Sequence, residues 1–259
     1  MRTINNLKLK PLALAGSGFI FLLIIWLWLT NGGYIAPVLL PSPQNVFKAG
    51  QIMFQNGQLG SAFLASGERI MVGFLISAAI SIPLGLLIGS YRPARTLLAP
   101  ILAFIRYIPP SAFIPLMIVW LGISEAQKIS VVILAIAPYF CLMVADAAAA
   151  TKPELINSAL TLGASKSDVF WQVIAPHSMP AAWDSGRIML GASWSFVIIS
   201  EIVGSNNGLG HLITESQRYL QTANIFAAII IIGLIGLVSD FILHHSSKLI
   251  FPWFHHAAN

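Results

Sequence analysis

Long apolar runs, separated by shorter polar stretches, dominate the chain. A helix rising 1.5 Å per residue needs about 20 apolar residues to cross a hydrocarbon core. Six segments reach or approach that length: residues 12–29, 62–89, 97–121, 129–149, 180–203 and 225–243. The third is interrupted by Pro109-Pro110 and Pro115, which remove backbone donors and break regular helix. Arg2, Lys8 and Lys10 precede the first run, as in a secretory signal. That run is longer than the about 7–15 residues of a signal core, and no small-x-small cleavage site follows, so it reads as a retained span. The pattern predicts an all-α membrane protein with six transmembrane helices.

Composition agrees. Of 259 residues, 57% are hydrophobic and only 9% charged, against about 25% charged in a typical soluble domain. So little charge cannot clothe a water-exposed surface, which excludes a soluble enzyme, a nucleic-acid-binding domain and a disordered chain. The net charge of +5 reads as positive-inside bias, not as affinity for an anionic polymer. With the N-terminus inside, the inner segments carry Arg2, Lys8, Lys10, Arg92, Arg95, Lys152, Lys166 and Lys248. The outer segments carry Lys48, Lys128 and Arg218, and Arg69, Arg106 and Arg187 fall within spans. This asymmetry places both termini in the cytoplasm. The lone Cys141 excludes an internal disulfide and a cysteine zinc site, and reads as core packing.

The outer stretch 30–60 is rich in Pro and Gly, and its Pro37-Val-Leu-Leu-Pro41-Ser-Pro43 is extended by proline restriction. The expectation is one membrane domain. Residues 1–60 supply an N-terminal helix and outer connection, 61–245 a five-helix core, and 246–259 a cytoplasmic tail.

The inner segment 151–178 is too polar to insert. Pro153 and Glu154 suit a helix's first turn, and Leu155, Ile156, Ala159, Leu160 and Leu162 form an apolar stripe. Gly163 ends that helix through positive φ. Ser165 or Ser167 N-caps a second short helix bearing Val169, Phe170, Val173 and Ile174, which Pro176 and Pro180 close. Physics alone leaves two readings open: a hairpin resting on lipid headgroups or a docking surface for a cytoplasmic protein.

The spacing resembles the EAA loop of ATP-binding-cassette importer permeases, E-A-A-x3-G-x9-I-x-L-P. Here it reads Asn157-Ser158-Ala159, three residues, Gly163, nine residues, then Val173-Ile174-Ala175-Pro176. Asn157 replaces the family's Glu, and Ser158, Val173 and Ala175 are further departures; Glu154 stands nearby. Thr161-Leu-Gly-Ala-Ser165, Pro41-Ser-Pro43, Pro83-Leu-Gly-Leu-Leu-Ile-Gly89, Ile108 to Ile123 and Gly208-Leu-Gly210 are similar to further family words. Together they span almost the whole chain and resemble the nitrate/sulfonate/taurine group.

The resemblance implies the type I importer permease fold and a dimer, most simply a homodimer. Each subunit docks one cytoplasmic ATPase, and a periplasmic or lipid-anchored binding protein delivers substrate. Glu154, Asn157, Ser158, Ala159, Gly163, Ala164, Ser165, Asp168 and Pro176 then form the ATPase-docking loop. The chain itself is non-catalytic and binds no cofactor, with ATP and Mg held by the partner ATPase. It has no phosphate-binding G-x-x-x-x-G-K-[ST]: Gly163-Ala-Ser-Lys166-Ser167 places Ser165 where the second glycine belongs, and no strand precedes it.

Charges inside a membrane are functional candidates by default. Arg106, with Tyr107 and the Pro109 break, is a path or gate candidate, or else an ion pair with Glu201 or Asp184. Ser193, Trp194 and Glu201, preceding Gly204-Ser-Asn-Asn-Gly208, are further path or gate candidates. Glu68-Arg69 reads as interfacial, and Arg187 pairs with Asp184 one turn away. His244-His245 and His255-His256 read as solvated tail, not as a metal site.

An ion-coupled carrier would show inverted repeats and a midplane ion site, and an intramembrane enzyme a converging catalytic set; neither pattern is visible. The expected cargo is a small anion such as nitrate, bicarbonate, taurine or an alkanesulfonate, with a vitamin or pyrimidine precursor as the alternative.

Overall fold

The computed structural model describes residues 11–252, which fold almost entirely into helices. Arg2, Lys8, Lys10, His255 and His256 lie outside the described residues. The chain divides into two compact units: Gly60–Leu212 with Ile231–Asn259, and Met1–Leu59 with Ile213–Ile230.

The smaller unit holds α1 (Pro11–Asn31) and α2 (Pro43–Gln55), with the first turns of the last helix. The expected extension of Pro37–Pro43 fails in its first half, where a turn forms with the Leu39 and Leu40 N–H groups on the Ala36 carbonyl at 2.8 and 3.1 Å; Trp26 Nε1 donates to the Pro41 carbonyl at 3.0 Å. Ser42 then caps α2 by accepting from the Asn45 N–H, with Pro43 in the first turn. Trp26 packs its ring 5.8 Å from Phe226. On α1 the consecutive apolar residues Phe19 to Ile25 are all exposed, on every side of the helix, as contact with lipid allows.

The larger unit contains α3 (Gln58–Ser90), α4 (Arg92–Tyr107), α5 (Ile114–Leu121), α6 (Glu125–Ala149), α7 (Pro153–Thr161), α8 (Lys166–Asp168) and α9 (Ala175–Ile202). The start of α10 (Leu209–Arg218) and the later turns of α11 (Thr222–Ile250) complete it. The buried face of α3 holds Ala62, Ser66, Gly73, Ser77, Ser81 and Gly85, together with Arg69, Ile70, Leu86 and Ile88. This small-residue stripe lets α3 approach α6 closely, as in membrane helix pairs generally. A Cβ on Gly85 would sit 2.6 Å from the Cys141 carbonyl, and Ser81 Oγ donates to the Ala137 carbonyl at 3.0 Å. Helix α6 is the central element, packing α9 along its length and burying Val131, Ala135, Ile136, Phe140 and Val144.

The helices α3, α6 and α11 are each long and apolar enough to cross a membrane, and α4 with α5 forms a fourth candidate bent by 88°. The bend falls at Pro109-Pro110, where a short 3₁₀ turn replaces regular helix. Helix α9 carries Asp184, Arg187, Glu201 and several serines, most facing other helices. One local expectation fails. Pro176 and Pro180 do not close a separate helix, because the chain stays helical from Lys166 through Ile202. A π-helical turn over Val169–Ile174 leads into Pro176. Its wider ring accommodates the proline that an α-turn would reject, and Ser178 Oγ donates to the Ile174 carbonyl at 2.6 Å.

Candidate functional site: a loop hairpin and a buried ion cluster

Helices α6 and α9 run antiparallel, so the α7–α8 hairpin and the 125/201 region lie at opposite ends of this unit.

The hairpin is built from local rules. Helix α7 ends with the Gly163 N–H on the Leu160 carbonyl and the Ala164 N–H on the Ala159 carbonyl, both at 3.0 Å. Gly163 has φ +89°, the left-handed conformation that this paired-bond ending requires. Ser165 then caps α8 reciprocally. Its Oγ accepts from the Asp168 N–H, while Asp168 Oδ2 accepts from the Ser165 N–H at 3.0 Å and from its hydroxyl at 2.6 Å. Donation from the Ser165 side chain and then its backbone holds the Asp168 carboxyl below the usual aspartate range. Two short helices are thereby fixed around a tip at which Leu162 is 89% exposed. Glu154, Asn157, Ser158, Ser165 and Pro176 are exposed around it, and Ala159 and Ala164 are half-buried.

The opposite end holds an ion cluster that sequence reasoning missed. Arg69 is buried, not interfacial. Its Nε and Nη2 meet the two Glu125 oxygens at 2.5 and 2.8 Å, and its Nη1 donates to Glu201 at 2.6 Å and to the Asn207 carbonyl at 2.8 Å. Lys128 Nζ reaches Glu125 at 3.3 Å. Glu201 also accepts from Ser66 Oγ at 2.7 Å and from the Gly210 N–H at 2.8 Å, and Ser66 Oγ in turn accepts from the Leu209 N–H. Helices α3, α6, α9 and the entry to α10 are thus tied at one point. Gly208 has φ +122°, and a Cβ there would lie 2.5 Å from the Glu201 carboxyl, so the family word Gly208-Leu-Gly210 lets the chain pass over this carboxylate. The signal that would have found Arg69 was its place on the small-residue face of α3.

The remaining candidates separate. Arg106 pairs with neither Glu201 nor Asp184. It donates to Tyr107 Oη at 3.2 Å and lies 5.1 and 5.8 Å from the Tyr107 and Tyr139 ring centres, beside Pro109 at the bend. Stacking on aromatic faces is a favourable setting for guanidinium. Ser193 is buried and bonds back to the Met189 carbonyl. Trp194 is buried, stacked 6.0 Å from Phe63 beside an apolar cleft of about 730 Å³ between α3, α9 and α11. Arg187 meets Asp184 at 3.9 Å but Asp240 more closely, at 3.4 Å, and contacts His244. Asp240 and His244 lie far along the chain, so local spacing alone named only the weaker partner.

Residues 81–252 match the family of binding-protein-dependent transport system inner membrane components, and the chain belongs to it. A probable ABC transporter permease of Brucella melitensis is 37% identical over 228 residues, 88% of this chain and 92% of that one. The taurine transport system permease of Escherichia coli is 31% identical over 237 residues, covering 90% and 86%. The MetNI methionine ABC transporter in an inward-facing conformation shares the fold, with TM-score 0.66 at 20% identity over 74% of this chain and 96% of that one. This chain is therefore the multi-pass inner-membrane permease subunit of an ABC importer.

Proposed function

We propose that two copies of this chain form the passage of an ATP-driven importer for a small oxyanion, taurine or an alkanesulfonate foremost. The taurine permease relative supports the substrate class. The observation that carries the mechanism is the hairpin, two capped helices meeting at an exposed apolar tip at Leu162. On this reading the hairpin faces the cytoplasm and seats one ATPase subunit. ATP and Mg stay on that subunit, whose closure moves α6 and α9 through their rigid connection, biasing a two-state passage. Both termini are then cytoplasmic, and a binding protein delivers substrate to the ion-cluster end.

Arg106, Tyr107 and Pro109 stand in the path at the 88° bend, where an aromatic-stacked guanidinium with no carboxylate at ion-pair distance among the described residues attracts an anion. Glu201 acts as a gate holder by fixing the 204–210 segment, and Ser193 and Trp194 serve helix packing beside it.

The test is reconstitution into proteoliposomes with a cognate ATPase and binding protein. ATP-dependent uptake of taurine or methanesulfonate should require all three components. Uptake by this chain alone, driven by an ion gradient, would overturn the reading in favour of a secondary carrier. Uptake confined to a vitamin or pyrimidine precursor would overturn the oxyanion assignment.

A further inference from the structure

The ion cluster has an asymmetry that tying helices together does not require. Arg69, Lys128 and Glu201 are nearly enclosed, at 5%, 3% and 1% exposure. The fourth member, Glu125, has a side chain 60% exposed. Glu201 is built in, held by Ser66, Arg69 and the Gly210 N–H. Among the described residues, Glu125 is held by the two cations alone. Its two oxygens lie across the guanidinium fork in the geometry that a planar nitrate or one face of a sulfonate presents equally well. Lys128 spends two of its three N–H groups, on Glu125 and on the Ser124 carbonyl.

We propose that Arg69 and Lys128 form an oxyanion hand-over site and that Glu125 is its resident place-holder. An arriving sulfonate or nitrate takes the position of the Glu125 carboxylate. The exchange keeps both enclosed cations paired, whereas simply vacating the site would leave buried charge uncompensated. A substrate that also carries an ammonium group, as taurine does, meets the displaced Glu125 carboxylate as its counter-ion. The site deepens the oxyanion-importer reading and rests on it.

The test is equilibrium binding of radiolabelled methanesulfonate to the permease–ATPase complex in nanodiscs, without the binding protein. Wild type should bind saturably. Glu125→Gln, which removes the internal competitor, should bind about tenfold tighter, and Lys128→Gln, which removes a charged donor, about tenfold weaker. Equal binding by all three, or no saturable binding by wild type and Glu125→Gln, overturns the site. Uptake by the full importer is read separately. Normal uptake with binding unchanged across the variants removes this site and keeps the importer. Shifted binding without uptake of any oxyanion keeps the site and removes the transport assignment.

Discussion

The hairpin and the ion cluster cap opposite ends of α6 and α9, and they are held by different physics. The hairpin's turn and caps are local: the bonds that shape them join residues at most five apart, while Val169 and Ile174 are buried and Phe170 stacks on Tyr91 at its base. The cluster is non-local: Arg69 reaches Glu125 and Glu201 across 56 and 132 positions, inside the protein. A tight turn between two short helices can be shaped by caps and near-neighbour bonds. A junction that must hold several membrane helices in register needs directional charge, because the surrounding lipid supplies no hydrophobic drive between helices.

The contrast yields graded expectations. Glu201→Ala should be the most damaging change, since it leaves Arg69 and the Gly210 N–H without their buried acceptor. Losing one partner of a buried pair costs about 3–5 kcal/mol, read as a large drop in the thermal midpoint of the purified complex. An unchanged midpoint would mean that the cluster does not hold the helices. Gly208→Ala should cost about 1–3 kcal/mol through its strained φ and its collision with the Glu201 carboxyl. Combined with Glu201→Ala, the collision part of that cost should vanish while the φ part remains, a coupling that a double-mutant cycle measures directly. Strict additivity would separate the loop from the carboxylate.

Effects at the hairpin should be smaller in stability and larger in partnership. Gly163→Val forces a β-branched residue to φ +89°, a local cost of about 1–2 kcal/mol. Membrane insertion should survive while ATPase co-purification is lost; a variant that keeps its ATPase and transports normally would refute the docking role. The subtlest effect concerns pH. The Asp168 carboxyl is depressed by its Ser165 bonds, so its contribution is present above the value of an unfolded aspartate and disappears as pH falls through the lower folded value. Amide-exchange protection at 165–168 should therefore hold from neutral pH down through the ordinary aspartate range and weaken only below it. Asp168→Asn should show weak protection throughout, and a wild-type loss beginning near neutrality would contradict the capping box.

Legibility followed the same division. Glu154, Gly163 and Ser165 were readable because caps and left-handed glycines act on near neighbours. Five of the six apolar runs each lie on one helix to within a residue for the same reason, while the third is divided between α4 and α5. The expectation that Pro176 would end a helix failed because a π-turn several residues earlier absorbs the ring, an adjustment that residue order does not announce. Arg69 was misread as interfacial although it lies on the Ala62–Ser66–Gly73–Ser77 face, because spacing shows which face is buried and not what awaits it there.

Sequence by itself determined the solvent, the helical spans, the hairpin and the family words, since each depends on apolar length or on contacts within a turn. Only the tertiary structure decided that Arg69, Lys128, Glu125 and Glu201 share one site, that Arg106 stacks on tyrosines instead of pairing with acid, and that the third span bends by 88°. Those outcomes depend on which helix faces which, and that is fixed by packing summed over the whole bundle.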